Sequence, residues 1–446
     1  MDKRITQPQA PQPAPKLPEP PKPEPPKVEA PKEAPKPEPK PADLLALETE
    51  AKPDEPPAWQ KAIADLPEAG AGAFLAATGP TLSSVVEQGA NWLKEKAGQL
   101  WEDHKPEFFK PFEIERAAVP PAAPIDPKDV EAHLAQLTPE QRQQYDAVMA
   151  RLKEPEDPTQ PCTELSGKLQ QRQEQAQVAL QRMLVEGKLP GPTDPVAGKT
   201  LLENLQTLSS QPTAPGIDNK RVLTDVVLET QNPARIAQGS FNCCGAGSAE
   251  QVLASQNPSE YARIASGLAS PEGKVTTQGG LVLERHPQWD CAVNDANNDR
   301  SLTGSLMMPA MMQAMNHLGN LGTYENKQAG DNPFAGDGTK VPLIDGLVVP
   351  GVLPQNQAAL LRNLTGQPYE GELGQGDAWK QAGPGHYVTL AVNYNTGGEN
   401  SPQPHYLVAT GYDPVTHKVS ILNPHGKVQV VDEAMLRDHM IGATYP

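Results

Sequence analysis

The sequence predicts an α+β protein in which a helical part precedes an antiparallel sheet. Three observations carry that expectation. Apolar residues recur at helical spacing in several segments between Leu137 and Leu318, and alternating apolar runs bounded by turn residues crowd toward the C-terminus. The opening tract, rich in Pro, Lys and Glu, has no such periodicity. At 446 residues the chain has room for two or three domains, but 51 prolines, 4% aromatic residues and a mean hydropathy of −0.55 leave much of it unable to bury a core. The globular mass is therefore concentrated.

Three regions follow in order. Met1–Pro57 reads as a disordered arm, because repeats such as Pro18 to Lys27 favour extended polyproline II and are too polar to collapse. It is a spacer, or a ligand for proline-recognition modules. Ala58–Pro215 reads as a mostly helical region broken by proline. In it Thr138 is an N-cap, Pro139 the first helical residue and Gln141 the capping-box partner, followed by Tyr145, Val148, Met149 and Leu152 at helical spacing. Leu169 to Leu189 is a second helix. The Ala/Gly-rich stretch from Pro67 to Gly98 is too short between polar interruptions to span a bilayer. This region suits targeting, partner binding, or a pro-region that fills a cleft. The third region, Gly216–Pro446, holds the candidate chemistry.

Within it, Val222–Glu229 reads as a helix leading into the segment Gln238 to Ala249. Gln238 stands six residues ahead of Cys244, and Cys244 opens a helix continued by Gly245, Ala246, Gly247, Ser248 and Ala249. A helix N-terminus favours a thiolate, because its first backbone N–H groups carry partial positive charge. An amide just upstream, with the cysteine's own N–H, can stabilise an oxyanion. Cys244 is thus the candidate nucleophile and Gln238 the candidate oxyanion donor. Adjacent side chains diverge on an incipient helix, so Cys243 points elsewhere.

A thiolate needs a base, and the base an orienting partner. Pro404 to Asp413 reads as a strand beginning at His405, and Lys418 to Asn423 as its antiparallel partner after a turn at Pro414–His417. That hairpin sets His405 beside Asn423. His386, near the start of another apolar run, is the competing base, but no Asn or Asp follows it at the end of a paired strand.

The order Gln238, Cys244, His405, Asn423, with the nucleophile on an early helix and the other two on a late sheet, resembles the papain-like cysteine peptidases. Asn423-Pro-His-Gly426 is similar to the Asn-Pro-Trp-Gly of calpains. The resemblance implies a papain-like fold, with Gln238 as oxyanion donor, Cys244 as nucleophile, His405 as general base and acid, and Asn423 as orienter. Papain-type enzymes place an aromatic residue after the nucleophile and a tryptophan over the His–Asn contact; Gly245 and His425 stand there instead. Cys-Gly-Ala is similar to the peptidase domains that process bacteriocin leaders.

Other segments carry weaker signals. Pro258 to Leu268 reads as a helix, and so does Leu302 to Leu318, whose start Pro309 is expected to delay. Its five methionines, Met307, Met308, Met311, Met312 and Met315, suit a core face or an adaptable substrate surface. Asp295 to Asp299 begins like a calcium loop but lacks the required Gly and Glu, so it is a polar turn. Cys162, Cys243, Cys244 and Cys291 form no zinc-type pair, and no cofactor or metal is expected.

Four cysteines make no disulfide framework, and the N-terminus lacks the apolar stretch of a secretory signal, so synthesis in a reducing cytoplasm is expected, with a signal-less export route open. A net charge of −17 argues against nucleic acid as a partner. The expected partners are a protein or peptide substrate and a protein that binds the arm or the helical region. The expected activity is peptide-bond hydrolysis by a thiol peptidase. The alternatives are a secreted effector or toxin running amidase, deamidase or transglutaminase chemistry on the same residues, and a non-catalytic interaction protein that keeps the fold.

Overall fold

Capped first turns set where the helices begin. In α1 (Pro127–Leu134) the Asp126 side chain accepts from the Lys128 N–H. In α2 (Pro139–Lys153) Thr138 and Gln141 form the reciprocal capping box expected from sequence. Next come α3 (Ser166–Val185), α4 (Leu201–Ser210) with a Thr200–Glu203 capping box, and α5 (Asn219–Gln231) capped by Asp218. A 3-10 turn at Pro233–Arg235 leads to α6 (Cys244–Gln256), and α7 (Pro258–Ala269) follows with Asn257 as its cap. The later helices are α8 (Leu302–Leu318), α9 (Pro354–Thr365) and α10 (Glu433–His439).

The computed structural model describes residues 115–117, 123–155, 166–289, 300–318, 323–326, 338–340, 348–349, 352–374, 376–394 and 404–446. The Pro-rich arm, the stretch Pro67–Gly98, the turn Asp295–Asp299, Cys162 and Cys291 lie outside them.

The strands are β1 (Glu115–Arg116), β2 (Lys274–Thr276), β3 (Val282–Glu284), β4 (Tyr324–Glu325), β5 (Gly338–Lys340), β6 (Val348–Val349), β7 (Glu370–Leu373), β8 (Val388–Asn393), β9 (Pro404–Asp413), β10 (Lys418–Asn423), β11 (Lys427–Asp432) and β12 (Met440–Tyr445). Seven of them form one antiparallel sheet in the order β1-β11-β10-β9-β8-β12-β7. β2–β3 and β4–β5–β6 are small separate sheets. The protein is thus mixed α and β, with its main sheet built almost wholly from the C-terminal quarter and closed at one edge by β1.

The β9–β10 hairpin sets the register that matters. Asp413 pairs with Lys418, and the intervening turn is held by Asp413, whose carboxylate accepts from the Val415 N–H and the Thr416 hydroxyl. From β10 the chain turns into β11 through Pro424-His425-Gly426, and Gly426 takes φ +71°, a left-handed conformation that glycine adopts without strain.

Side chains alternate across this sheet. Tyr406 faces Cys244, and Val408 and Leu422 meet the helical layer, while Leu407, Ala409, Val419 and Ile421 pack on Trp379, of the 3-10 turn Ala378–Gln381, and on Leu436 of α10. Helices on both sides of Gly216 share one core. Leu152, Leu180 and Leu205 are buried with Val226, Leu253 and Tyr261. Gly216 itself lies in a turn between α4 and α5, which pack together, and α1–α4 pack chiefly on one another, on α5 and on α7.

α8 corrects one expectation. Pro309 sits inside the helix rather than delaying its start. Asp225 of α5 holds the N-terminus, its carboxylate accepting from the Leu302 and Thr303 N–H groups at 2.9 and 3.3 Å. A proline in a helix interior costs about 3 kcal/mol, whereas each buried methionine contributes about 1.5–3 kcal/mol. All five methionines are buried, so packing outweighs the proline and this face is core. No helix among the described residues is long and apolar enough to cross a membrane.

Candidate active site

The expected residues collect where α6 meets β9 and β10. Cys244 is the first residue of α6, and Cys243 is its N-cap. Their side chains diverge as expected: Cys243 is buried in the main core with its thiol 3.7 Å from Met308 Sδ, while Cys244 joins a small cluster with Tyr406 and Ala391. Both are thiols. Small residues let α6 approach the sheet loop. A Cβ on Gly247 would stand 2.9 Å from Pro424 Cβ, and one on Gly245 would stand 2.6 Å from Val352 Cγ2.

His405 and Asn423 are in direct contact, with His405 Nε2 3.0 Å from Asn423 Oδ1. The direction of that bond follows from its neighbours. Asn423 Oδ1 also accepts the His425 backbone N–H at 3.0 Å, and an N–H can only donate, so this is the acceptor end of the amide. The other end, Nδ2, donates to Gln429 Oε1 at 2.7 Å and more weakly to the Tyr394 hydroxyl at 3.5 Å. The network therefore assigns the ring proton of His405 to Nε2 and leaves Nδ1 as its basic nitrogen. Burial pushes this imidazole down to about 3, helped by neighbouring His425 and opposed by the Asn423 hydrogen bond, so the ring is neutral in this state.

Gln238 reaches the same place by another route. Its backbone N–H donates to the Pro424 carbonyl at 2.6 Å, and Ala237 bridges His425. Its side-chain amide, however, donates to the Phe241 carbonyl at 2.6 Å, and Oε1 is buried with no hydrogen-bond partner among the described residues. One amide N–H is thus committed within the loop, and one remains.

His405 contacts Asn423, and the next residue of β9, Tyr406, packs on Cys244. Tyr406 donates its hydroxyl to the Val352 carbonyl at 3.0 Å, and Val352 packs on Cys244. Burial, and then the neighbouring Cys244, holds the Tyr406 hydroxyl well above its ordinary pKa. Gln238, Cys244, His405 and Asn423 are each no more than 6% exposed, so the site is closed. His386, the competing base, is exposed beside a turn bridged to Gly383 and has no such partner network among the described residues.

Sequence reasoning missed Gln429, Tyr394 and Val352. It also missed a second polar cluster farther along α6. Glu250 on α6 and Glu229 on α5 are both fully buried, and the Tyr261 hydroxyl of α7 lies 2.9 Å from Glu250 Oε1 and 2.7 Å from Glu229 Oε2. The Tyr261 hydroxyl has one proton to share between the two carboxyls, while Ser301 also hydrogen-bonds Glu229 and Arg300 lies close enough to Glu250 to favour its anion. Burial raises both carboxyls, Glu250 to about 7.

A cavity of about 320 Å³ opens between α3, α5 and the C-terminal end of α6, lined by residues such as Met183, Thr230, Ala254 and Tyr387, and it includes none of the four site residues. Among the described residues no group of His, Cys, Asp or Glu side chains is placed to hold a metal ion. No protein-family model and no curated protein sequence matches the chain.

Proposed function

We propose that this chain is a papain-like thiol hydrolase, a cysteine peptidase that cleaves peptide bonds through an acyl-enzyme on Cys244. The observation that supports it best is the His405–Asn423 pair, whose hydrogen-bond direction leaves His405 Nδ1 basic, on the strand whose next residue, Tyr406, packs on Cys244 at the start of α6. In this reading Nδ1 takes the Cys244 proton, and the thiolate attacks the carbonyl carbon of the scissile bond. The oxyanion accepts hydrogen bonds from the remaining Gln238 amide N–H and from the Cys244 backbone N–H. Collapse of the intermediate expels the amine, which takes the proton from His405. Water, deprotonated by the same nitrogen, then attacks the thioester and restores the thiol.

All four residues are buried and Val352 packs on the cluster that holds Cys244, so in this reading moving the Val352 side chain aside opens Cys244 to substrate. The same burial favours one second reading, a chain that keeps the fold without turning over. Alkylation separates the two. Iodoacetamide at low dose across about pH 5 to 9, a range that brackets ordinary and activated thiols, is followed by mass-spectrometric mapping of the modified cysteine. Selective labelling of Cys244 below the ordinary thiol range, reduced about 100-fold in His405→Ala, is the expected result. Labelling no faster than that of Cys162 or Cys291, in the full chain and after Val352→Gly, would leave the non-catalytic reading.

A further inference from the structure

A second imidazole lies against the candidate base. The His425 ring centroid is 4.6 Å from that of His405 at an interplanar angle of 40°, and Tyr394 closes the other side at 4.7 Å from His405 and 5.8 Å, edge-on, from His425. The backbone fixes His425 there, through its N–H to Asn423 Oδ1, its bridge to Ala237 and the left-handed turn at Gly426. Two imidazolium rings in tilted contact in a mostly buried place repel each other with little solvent to screen them.

We propose that His405 and His425 hold one proton between them, which makes His425 a positioning residue that sets the acid limit for forming the Cys244 thiolate. This rests on the proposed pairing of Cys244 with His405. Thiolate formation moves one proton from Sγ to His405 Nδ1, and no other bond changes. When His425 is already charged, the new imidazolium is opposed by its charged neighbour and the proton stays on sulfur. When His425 is neutral, the transfer proceeds.

The groups that face His425 are His405 of β9, Tyr394 after β8 and Lys427 of β11; Asn423 of β10 and Ala237 are neutral. Tyr394 is held above its ordinary pKa by burial and stays uncharged. Burial, and then Lys427, holds His425 below the ordinary histidine value, so the limit falls on the acid side of neutrality. The titration belongs to the pair rather than to either ring.

The test uses the full chain with ¹⁵N-labelled histidine. Side-chain nitrogen shifts of His405 are followed with pH in the parent protein, in His425→Phe and in His425→Gln, with iodoacetamide labelling of Cys244 measured on the same samples. In both variants the His405 midpoint is expected to rise by about one unit, tenfold in the protonation equilibrium. The acid limb of labelling is expected to move to lower pH by a similar amount. An unmoved His405 midpoint with selective labelling intact would overturn the one-proton pair while leaving the proposed function standing. Unselective labelling of Cys244 in all three proteins would overturn the proposed function and with it this role for His425.

Discussion

Two polar clusters are buried at different levels along α6, and they balance their hydrogen bonds differently. Around Asn423 the two amide ends serve two donors and two acceptors: His405 and the His425 N–H on one side, Gln429 and Tyr394 on the other. Every member can be neutral, and the network fixes an orientation without needing to titrate. Around Tyr261 one hydroxyl serves two carboxyl groups, leaving Glu229 Oε1 and Glu250 Oε2 buried with no hydrogen-bond partner among the described residues. Those two oxygens favour holding an extra proton in the cluster. A balanced network holds its geometry with every member neutral, and an unbalanced one favours an extra proton.

The two clusters therefore bend the stability curve in opposite directions. His405 binds its proton less readily folded than unfolded, so between the ordinary histidine value of 6.5 and about 3 the unfolded chain carries more protons. Stability is lost as pH falls through that window. Glu250 binds its proton more readily folded, so its contribution is fully present below about 4.5 and is lost as pH rises through about 7.

The largest expected effect comes from removing the imbalance. Glu250→Gln supplies a neutral side chain that can both donate and accept, and it should abolish the Glu250 share of the alkaline decline between pH 4.5 and 7, leaving that of Glu229. The change amounts to something on the order of 3 kcal/mol, since one pKa unit is worth about 1.4 kcal/mol. Urea unfolding at several pH values measures it, and an unchanged slope would mean that the proton resides elsewhere. Tyr261→Phe makes the imbalance worse. Its hydrogen bonds lower the pKa of both carboxyls, so losing them should extend the decline above pH 7 and cost about 1–3 kcal/mol, readable in the same titration.

The two clusters also differ in how far sequence reveals them. His405 and Asn423 were legible because a strand-turn-strand pattern carries them and hairpin register is a local property. Cys244 was legible because a helix start has a local signature. Glu229, Glu250 and Tyr261 come from three helices, and nothing in the spacing of a helix face announces that two acidic residues will meet one phenol. Gln429 was missed for a related reason: it lies on β11, two residues beyond Lys427, the partner of Asn423, and only the register of that pairing makes it the diagonal neighbour of Asn423. Pro309 misled because local propensity was set against burial that is not local. β1 was invisible, since Glu115–Arg116 is too short to show a pattern and is defined by its pairing with β11.

The smallest effect sharpens the comparison most. Gln429→Leu keeps the volume but removes the acceptor for Asn423 Nδ2, leaving that group only the 3.5 Å contact with Tyr394. The cost should be about 1–2 kcal/mol, the ordinary penalty for a buried donor without a good partner. Because the His425 N–H still fixes the acceptor end of the amide, His405 should keep its tautomer, and the loss should be the same at pH 7 and pH 9. Denaturant titrations at those two values decide it. A loss that grows or shrinks between them would show a group of this cluster changing its proton, and the contrast between a network silent above pH 7 and one that titrates there would fail.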